Sequence, residues 1–510
     1  ANPFVANANA ATSQGAGPNA LLQNNPLVAA HPPLLYTGFV GLTVPFVFAM
    51  AMLITGRIDE RWPMRLRRWT VLTWGILSVG IVLGAWWSYQ VLGWGGFWGW
   101  DPVENAALLP WLTSTAYIHS IIVQDRRGLF RVWNMSLAIT SFALTVLGTF
   151  FTRSGILQSV HAFSASTLGP LLISFFALVC IAGLLLIVWR SPRLRSPLGV
   201  ESALSREGLF VANNILFVGF AIVVLAGTLF PLLYQAINGG VVSVGAPYFS
   251  KVSEPVAVAL LILMVIAPVA GWRHSSRDVM WGRLRFSAWA ALLVTATIYV
   301  SGIHRVSLLS AYFLATLAAG AALRTLAGSV RSARRRDESW WRGLLGPSAG
   351  GMVTHLGIVV LSVGIISSTS LSTRAEVALA KGQTTVVAGE RITYLGMRNV
   401  HDSLRTQTQL DVRINDSGVM HPAITKFRGR EGQVVGTPAI ASDIIRDVYL
   451  TFDAVGGNGT ASGAQIANDL PAGSVAVGVT VEPLLSWLWM GGLMVGFGAA
   501  LSFARRKSES

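Results

Sequence analysis

The sequence predicts an α-helical, polytopic membrane protein of about eleven transmembrane helices, with a small β-rich domain on the outer side just before the last helix. Mean hydropathy is +0.56 and only 12% of the 510 residues are charged, roughly half the share found in soluble domains, so most of the chain faces something other than water. Apolar stretches of about 20 residues recur from end to end, each sufficient to cross a ~30 Å hydrocarbon layer as a helix. Basic residues concentrate in every second loop, as expected of a chain threading back and forth through a bilayer.

The spans read in order as Leu34–Ile54, Thr70–Tyr89, Ala106–Val123, Asn134–Phe151, Leu168–Val188, Leu209–Tyr234, Pro255–Gly271, Phe286–Val300, Leu308–Leu323, Gly350–Ser368 and Pro483–Phe503. The segments Arg57 to Arg68, Arg126 to Arg131, Arg190 to Arg206, Arg273 to Arg285, Arg324 to Arg342 and Arg505 to Lys507 together hold 25 Lys and Arg, which marks them as cytoplasmic. The intervening loops hold only Arg153, Lys251 and Arg305. They face outward with the N-terminus, and an odd number of spans carries the chain to an inner end. The formal net charge of +15 is therefore a topological signal, and no nucleic-acid partner is expected, because no stacking aromatics interleave the basic residues. The single cysteine, Cys180, lies in the apolar run Leu171–Val188, which excludes a disulfide framework and CxxC chemistry. The polar, Asn/Ala-rich start lacks both an initiating Met and a signal sequence, and reads as the continuation of a longer chain.

Between Leu371 and Glu482 the apolar runs stop. Short alternating segments such as "RITYLG", "QLDVRI" and "DVYLTFDAV" appear between "NDSG" and "GGNG" turn signals. The organisation expected is an outer lead-in over 1–33, a bundle over 34–370 with an outer loop at 91–105, a β-rich domain over 371–482 and the last span and tail over 483–510. A structural or docking role suits the β-rich domain, which contains no recognisable catalytic cluster.

The second outer loop, "WGGFWGWDPVENAALLPW", sets Trp94, Phe97, Trp98 and Trp100 among Gly93, Gly95, Gly96 and Gly99. Stiff aromatic faces on a permissive backbone suit a broad, flat, apolar ligand, and a porphyrin fits that description. An interfacial aromatic belt is the alternative, although a belt has no use for four glycines. Asp101, Pro102 and Glu104 fall at N-cap, N1 and N3 of the next span, a capping box with proline in its favoured place, so the acidic pair has a structural reading beside any ligand role.

Four histidines occupy two depths. His31 in "AAHPPLLY" and His161 in "RSGILQSVHAF" share the outer face with the tryptophan loop, where two neutral imidazoles can supply both axial ligands of a haem iron. His119 lies about 20 Å along its helix from the outer side, leaving about 10 Å to the inner face. His355 starts from the inner side and lies within about 10 Å of the same face. Two intramembrane histidines at one level suit a membrane-embedded b-type haem; hydrogen bonding between helices is the alternative. Arg153 is a candidate partner for a haem propionate. His304 adjoins Arg305 and reads as a surface residue ahead of a haem-carboxylate neighbour, His274 as a solvated loop residue, and His401 and His421 belong to the β-rich region.

In this order, "HPPLLYTGFVG", "WGGFWGWDPVENAALLPW", "LGTFFTRSGILQSVHAF", "ANNILFVGF" and "THLGI" resemble CcmF, the haem lyase family of the bacterial cytochrome c maturation system, from about Asn2 to the final span. The resemblance implies an inner-membrane protein whose active face is periplasmic. His31 and His161 would ligate a substrate haem b received from a haem chaperone, CcmE, and cradled by the WWD-motif residues Trp94, Trp98, Trp100 and Asp101. His119 and His355 would ligate a resident haem b that passes electrons from quinol to the substrate iron. The vinyl groups would then react with the CxxCH thiols of an apocytochrome c presented by CcmH/CcmI-type subunits. Members of the family usually carry further spans ahead of the "HPPLLY" helix. A haem transporter or exporter without a redox step is the rival reading, and a non-catalytic scaffold that recruits apocytochrome is the third.

Overall fold

In the computed structural model, residues 25–57, 62–156, 168–196, 199–403, 405–427, 434–455, 470–471 and 473–503 are described. The helices are α1 Leu27–Gly41, α2 Thr43–Thr55, α3 Trp62–Val91, α4 Pro102–Arg127, α5 Arg131–Arg153, α6 Gly169–Leu194, α7 Arg206–Asn238, α8 Ala246–Ile266, α9 Arg277–Val300, α10 Val306–Arg334, α11 Pro347–Ser370 and α12 Leu485–Phe503. Ten helical stretches among the described residues are long and apolar enough to cross a membrane, with α1 and α2 forming one of them. The eleventh expected span is the second half of α9. Its first nine residues carry Arg277, Asp278, Arg283 and Arg285, which keeps α9 out of that count by composition, and the expected Phe286–Val300 span is its apolar remainder. The chain is a multi-pass membrane protein.

The first helix begins at Leu27, seven residues before the expected start. Pro32 and Pro33 read in the sequence as a helix entrance, yet both lie inside α1. Near the start of a helix such prolines cost only the two bonds that their own nitrogens would donate, to the Val28 and Ala29 carbonyls.

By contacts the chain divides into two compact units. One comprises Ala30–Leu83, Trp98–Val363 and Leu488–Ser510. Its core is α4, 72% of whose span is buried, whereas 11% of the span of α6 is. Leu109, Leu112, Ala116, Tyr117 and Ile121 of α4 pack with Met135, Ala138 and Leu144 of α5 and Phe217 and Val224 of α7. Lipid is as apolar as these side chains, so close backbone approach and packing hold the helices together. The seam of α11 and α12 illustrates this: a Cβ on Gly357 would come within 2.7 Å of the Val495 nitrogen and 2.8 Å of the Gly491 carbonyl.

The other unit comprises Ala1–Ala29, Gly84–Phe97 and Gly364–Trp487. Its strands are β1 Thr373–Leu379, β2 Thr384–Val387, β3 Glu390–His401, β4 Arg405–Ile414, β5 Val419–Met420, β6 Ala423–Phe427, β7 Val434–Thr437, β8 Ala439–Ser442, β9 Arg446–Val455 and β10 Val475–Pro483. They form antiparallel sheets ordered β1-β10-β9-β8 and β2-β3-β4-β6-β7, with β5 beside β4. Leu410, Val412 and Ile414 of β4 are buried between more exposed neighbours, the period of two that the sequence displays. With Leu450, Val477 and Val479 they build one core. The unit reaches beyond the expected 371–482 because the outer end of α3 packs into it through Tyr89, whose ring lies 5.0 Å from that of Tyr449.

Candidate functional site

The bundle brings His119 and His355 together. Their ring centroids lie 6.3 Å apart with planes 27° from parallel. His119 Nδ1 lies 2.8 Å from the Thr115 carbonyl one turn earlier in α4. A carbonyl only accepts, so Nδ1 carries the proton and Nε2 keeps a lone pair for a metal. His355 Nδ1 is buried and has no hydrogen-bond partner among the described residues. Phe210 and Phe217 of α7 flank His119 at 5.6 and 6.3 Å. Two imidazoles bound to one metal at ~2 Å from each nitrogen place their centroids roughly 6 Å apart, so the observed spacing fits a shared iron. Among the described residues no group of three or more His, Cys, Asp or Glu could hold a metal ion.

On α1, His31 Nδ1 lies 2.8 Å from the Gly80 carbonyl of α3, which fixes its tautomer in the same way. A Cβ on Gly80 would come within 2.9 Å of the Leu35 nitrogen, so glycine is what lets the two helices meet here. His161 lies outside the described residues. Arg153 is the last residue of α5 and is exposed. His304 is exposed, with its ring 4.6 Å from that of Tyr299. His421 Nδ1 sits 2.8 Å from Asp411 Oδ1 on the sheet surface, and His401 Nδ1 is 3.1 Å from the Thr406 hydroxyl. His274 is exposed in the turn before α9.

In the tryptophan loop, Asp101 Oδ1 accepts from the Val103 amide at 2.8 Å, while Glu104 Oε2 accepts from the amides of Asp101 at 3.1 Å and Gly99 at 2.9 Å. The capping box expected from the sequence is therefore present. Trp100 is an anchor more than an open face: it stacks on Phe249 of α8 at 5.1 Å and 9°, and meets Trp98 edge-on at 6.1 Å. Its φ of 55° is unusual for a bulky residue, and the Asn105 side-chain amide donates to its carbonyl at 3.1 Å. Trp94 belongs to the β-domain unit, is 36% exposed, and lies against Gly96, where a Cβ would meet the indole at 3.1 Å.

Two features escaped the sequence. One is Arg67, hidden in a basic run that reads only as topology. The other is a buried acid cluster in the β-domain unit. Tyr89 Oη lies 3.4 Å from Asp447 Oδ2, the Ser442 and Ser486 hydroxyls donate to that carboxyl at 2.9 and 3.3 Å, and Glu482 bonds the Tyr89 hydroxyl. Desolvation is the main cause that pushes the Asp447 carboxyl up to about 6 and the Glu482 carboxyl up to about 7, with the nearby Asp447 charge a lesser cause for Glu482. Residues 89, 447 and 482 are too far apart in sequence for any local motif to announce them.

The comparisons agree with this architecture. A family model described as "Cytochrome C assembly protein" matches residues 4–158. The chain is 34% identical over 519 residues to the cytochrome c-type biogenesis protein CcmF of Pseudomonas aeruginosa, covering 99% of this chain and 75% of that one. It is also 34% identical to the CcmF of Escherichia coli K12, covering 98% and 74%. A solved structure titled "Cytochrome c Heme Lyase CcmF" superposes with a TM-score of 0.74 at 29% identity, over 94% of this chain and 72% of that one. Sharing a third of its residues with these relatives over almost its whole length, the chain belongs to the CcmF family of cytochrome c-type biogenesis proteins.

Proposed function

We propose that this chain is a cytochrome c haem lyase that takes haem at the outer membrane face, keeps its iron reduced and directs its attachment to apocytochrome c. The observation that carries the redox part is the His119–His355 pair, held 6.3 Å apart in the bundle interior. These two imidazoles would hold a resident haem b, which would supply a one-electron relay with quinol as the electron source. His119 is aimed by the Thr115 carbonyl, and Phe210 and Phe217 give the site an apolar wall.

At the outer face, His31 and His161 ligate the substrate haem delivered by a CcmE-type chaperone. Trp94 and Trp98 contact the macrocycle, Trp100 fixes the loop against Phe249, and Asp101 sets its exit into α4. Arg153 pairs with a propionate of that haem. Each cysteine thiol of the apocytochrome CxxCH motif adds across a vinyl group, its proton ending on carbon, so bond formation needs no net oxidant once the iron is ferrous. CcmH/CcmI-type subunits present the apocytochrome; the loop charges support an outward-facing active side, and family membership supports an inner membrane with that side in the periplasm. The reading is supported by the histidine geometry and by family membership.

The test is the visible spectrum of the purified protein. A reducible b-type haem lost in His119→Ala and His355→Ala supports the lyase reading over a redox-free exporter; retention of full haem in both variants refutes it. His31→Ala and His161→Ala are expected to abolish cytochrome c formation while the inner haem spectrum stays.

A further inference from the structure

Arg67 lies on the inner part of α3, one helical turn below Val71 and on the same face. Val71 shares an apolar cluster with Ile118 of α4 and Ile358 of α11, the immediate neighbourhoods of His119 and His355. The α3–α4 register is fixed higher up, where Trp74 Nε1 donates to the Thr115 hydroxyl at 2.7 Å and the Trp111 indole donates to Ser78 at 2.8 Å. Because α3 and α11 run outward, one turn inward from Val71 and Ile358 reaches the level of Arg67 and His355 together. Arg67 is half-buried there, within electrostatic reach of His119 and of Asp125 and Arg126.

Arg67 makes no ion pair and no hydrogen bond among the described residues. Its neighbour Arg68 is occupied, donating to the Phe503 carbonyl at 2.8 Å and lying 5.0 Å over that ring. A guanidinium is always charged, and leaving one unpaired inside a helical bundle is costly. Asp125, the anion within its reach, forms no ion pair with it among the described residues, so the planar fork of the arginine is open to a carboxylate or phosphate.

We propose that Arg67 binds a carboxylate of the planar cofactor held between His119 and His355, pairing with a haem propionate at the inner edge of the site. The proposal rests on the resident-haem reading above. The other source of the same chemistry, a lipid phosphate drawn in by a snorkelling arginine, is separated from it by the experiment.

The full-length chain in nanodiscs is loaded with haem, and transfer of haem to apomyoglobin is timed for wild type, Arg67→Gln and Arg67→Lys. Loss of a charge-assisted bond is expected to speed release from Arg67→Gln by about ten- to a hundredfold. Its bis-imidazole spectrum should persist, with Arg67→Lys in between. Loading with haem dimethyl ester, which has no carboxylates, is expected to abolish the difference between wild type and Arg67→Gln. An Arg67→Gln release rate equal to wild type overturns the assignment, and so does a difference that survives esterification, which would point to lipid phosphate or to altered packing. If wild type shows no bis-imidazole spectrum at all, the resident-haem reading fails first and this proposal falls with it.

Discussion

The acid cluster of the β-domain unit makes the stability of that unit depend on pH, in a direction its carboxyls dictate. Unfolded, Asp447 and Glu482 ionise near 3.8 and 4.5; folded, they do so at about 6 and about 7. Folding therefore favours the protonated forms. Stability is fully present below the unfolded values and is lost as pH rises through the folded ones. With 1.36 kcal/mol per pKa unit, the two shifts correspond to about 3 kcal/mol each, and between about pH 5 and about pH 8 the combined loss is about 4 kcal/mol. Both side chains are nearly inaccessible, Asp447 at 1% and Glu482 at 5%, so solvent screening removes little of this. The assay is hydrogen–deuterium exchange of peptides from β9 and β10 at the two pH values, corrected for intrinsic rates. Protection is expected to fall by about a thousandfold toward the higher pH. Glu482→Gln should remove the larger part of that slope and Asp447→Asn the smaller. Equal protection at both pH values, or an unchanged slope in Glu482→Gln, would refute the reasoning.

Further outcomes follow from the bundle. Asp101→Ala should lower stability by about 1 kcal/mol through loss of the N-cap, whereas Asp101→Asn retains the cap and should restore the thermal midpoint; a deficit in cytochrome c yield that persists in Asp101→Asn would show that the charge itself acts on haem. Gly357→Leu is expected to force α11 from α12, since even a Cβ there meets backbone atoms of Val495 and Gly491, and should be read as loss of the inner haem spectrum with a lowered midpoint. Glu207, 2% exposed, accepts from the Arg273 amide at 3.1 and 2.9 Å and pairs with Arg127 at 3.0 Å. Removing it as Glu207→Ala should cost about 3 kcal/mol, measured as earlier thermal aggregation in detergent.

Hydropathy and loop charge made the bundle legible, because a span must be long, apolar and internally hydrogen-bonded whatever its neighbours are. The His119–His355 pairing was legible for a related reason: a fixed rise per residue converts position along a helix into depth. Local rules misled at Pro32 and Pro33, whose usual place at a helix start is overridden inside α1. The capping box at Asp101 was readable because all its partners lie within four residues. The stack of Trp100 on Phe249 was not, since it depends on α8 arriving from far along the chain. Arg67 was hidden by its company: five basic residues between Arg57 and Arg68 announce the inner face of the membrane, and only the packing of Val71 separates the one that turns inward.

The hydrogen bond from His119 to the Thr115 carbonyl ties the ring to its own helix. The aim of the imidazole is thus a matter of helical phase, set by where residue 119 falls around the barrel of α4. Each residue advances that phase by about 100°, so a single insertion between the α3 contact at Thr115 and His119 would swing the ring toward lipid or toward α5 while leaving sequence, depth and hydropathy almost unaltered. The spacing of four residues from Thr115 to His119 is accordingly as much a part of the site as the histidine.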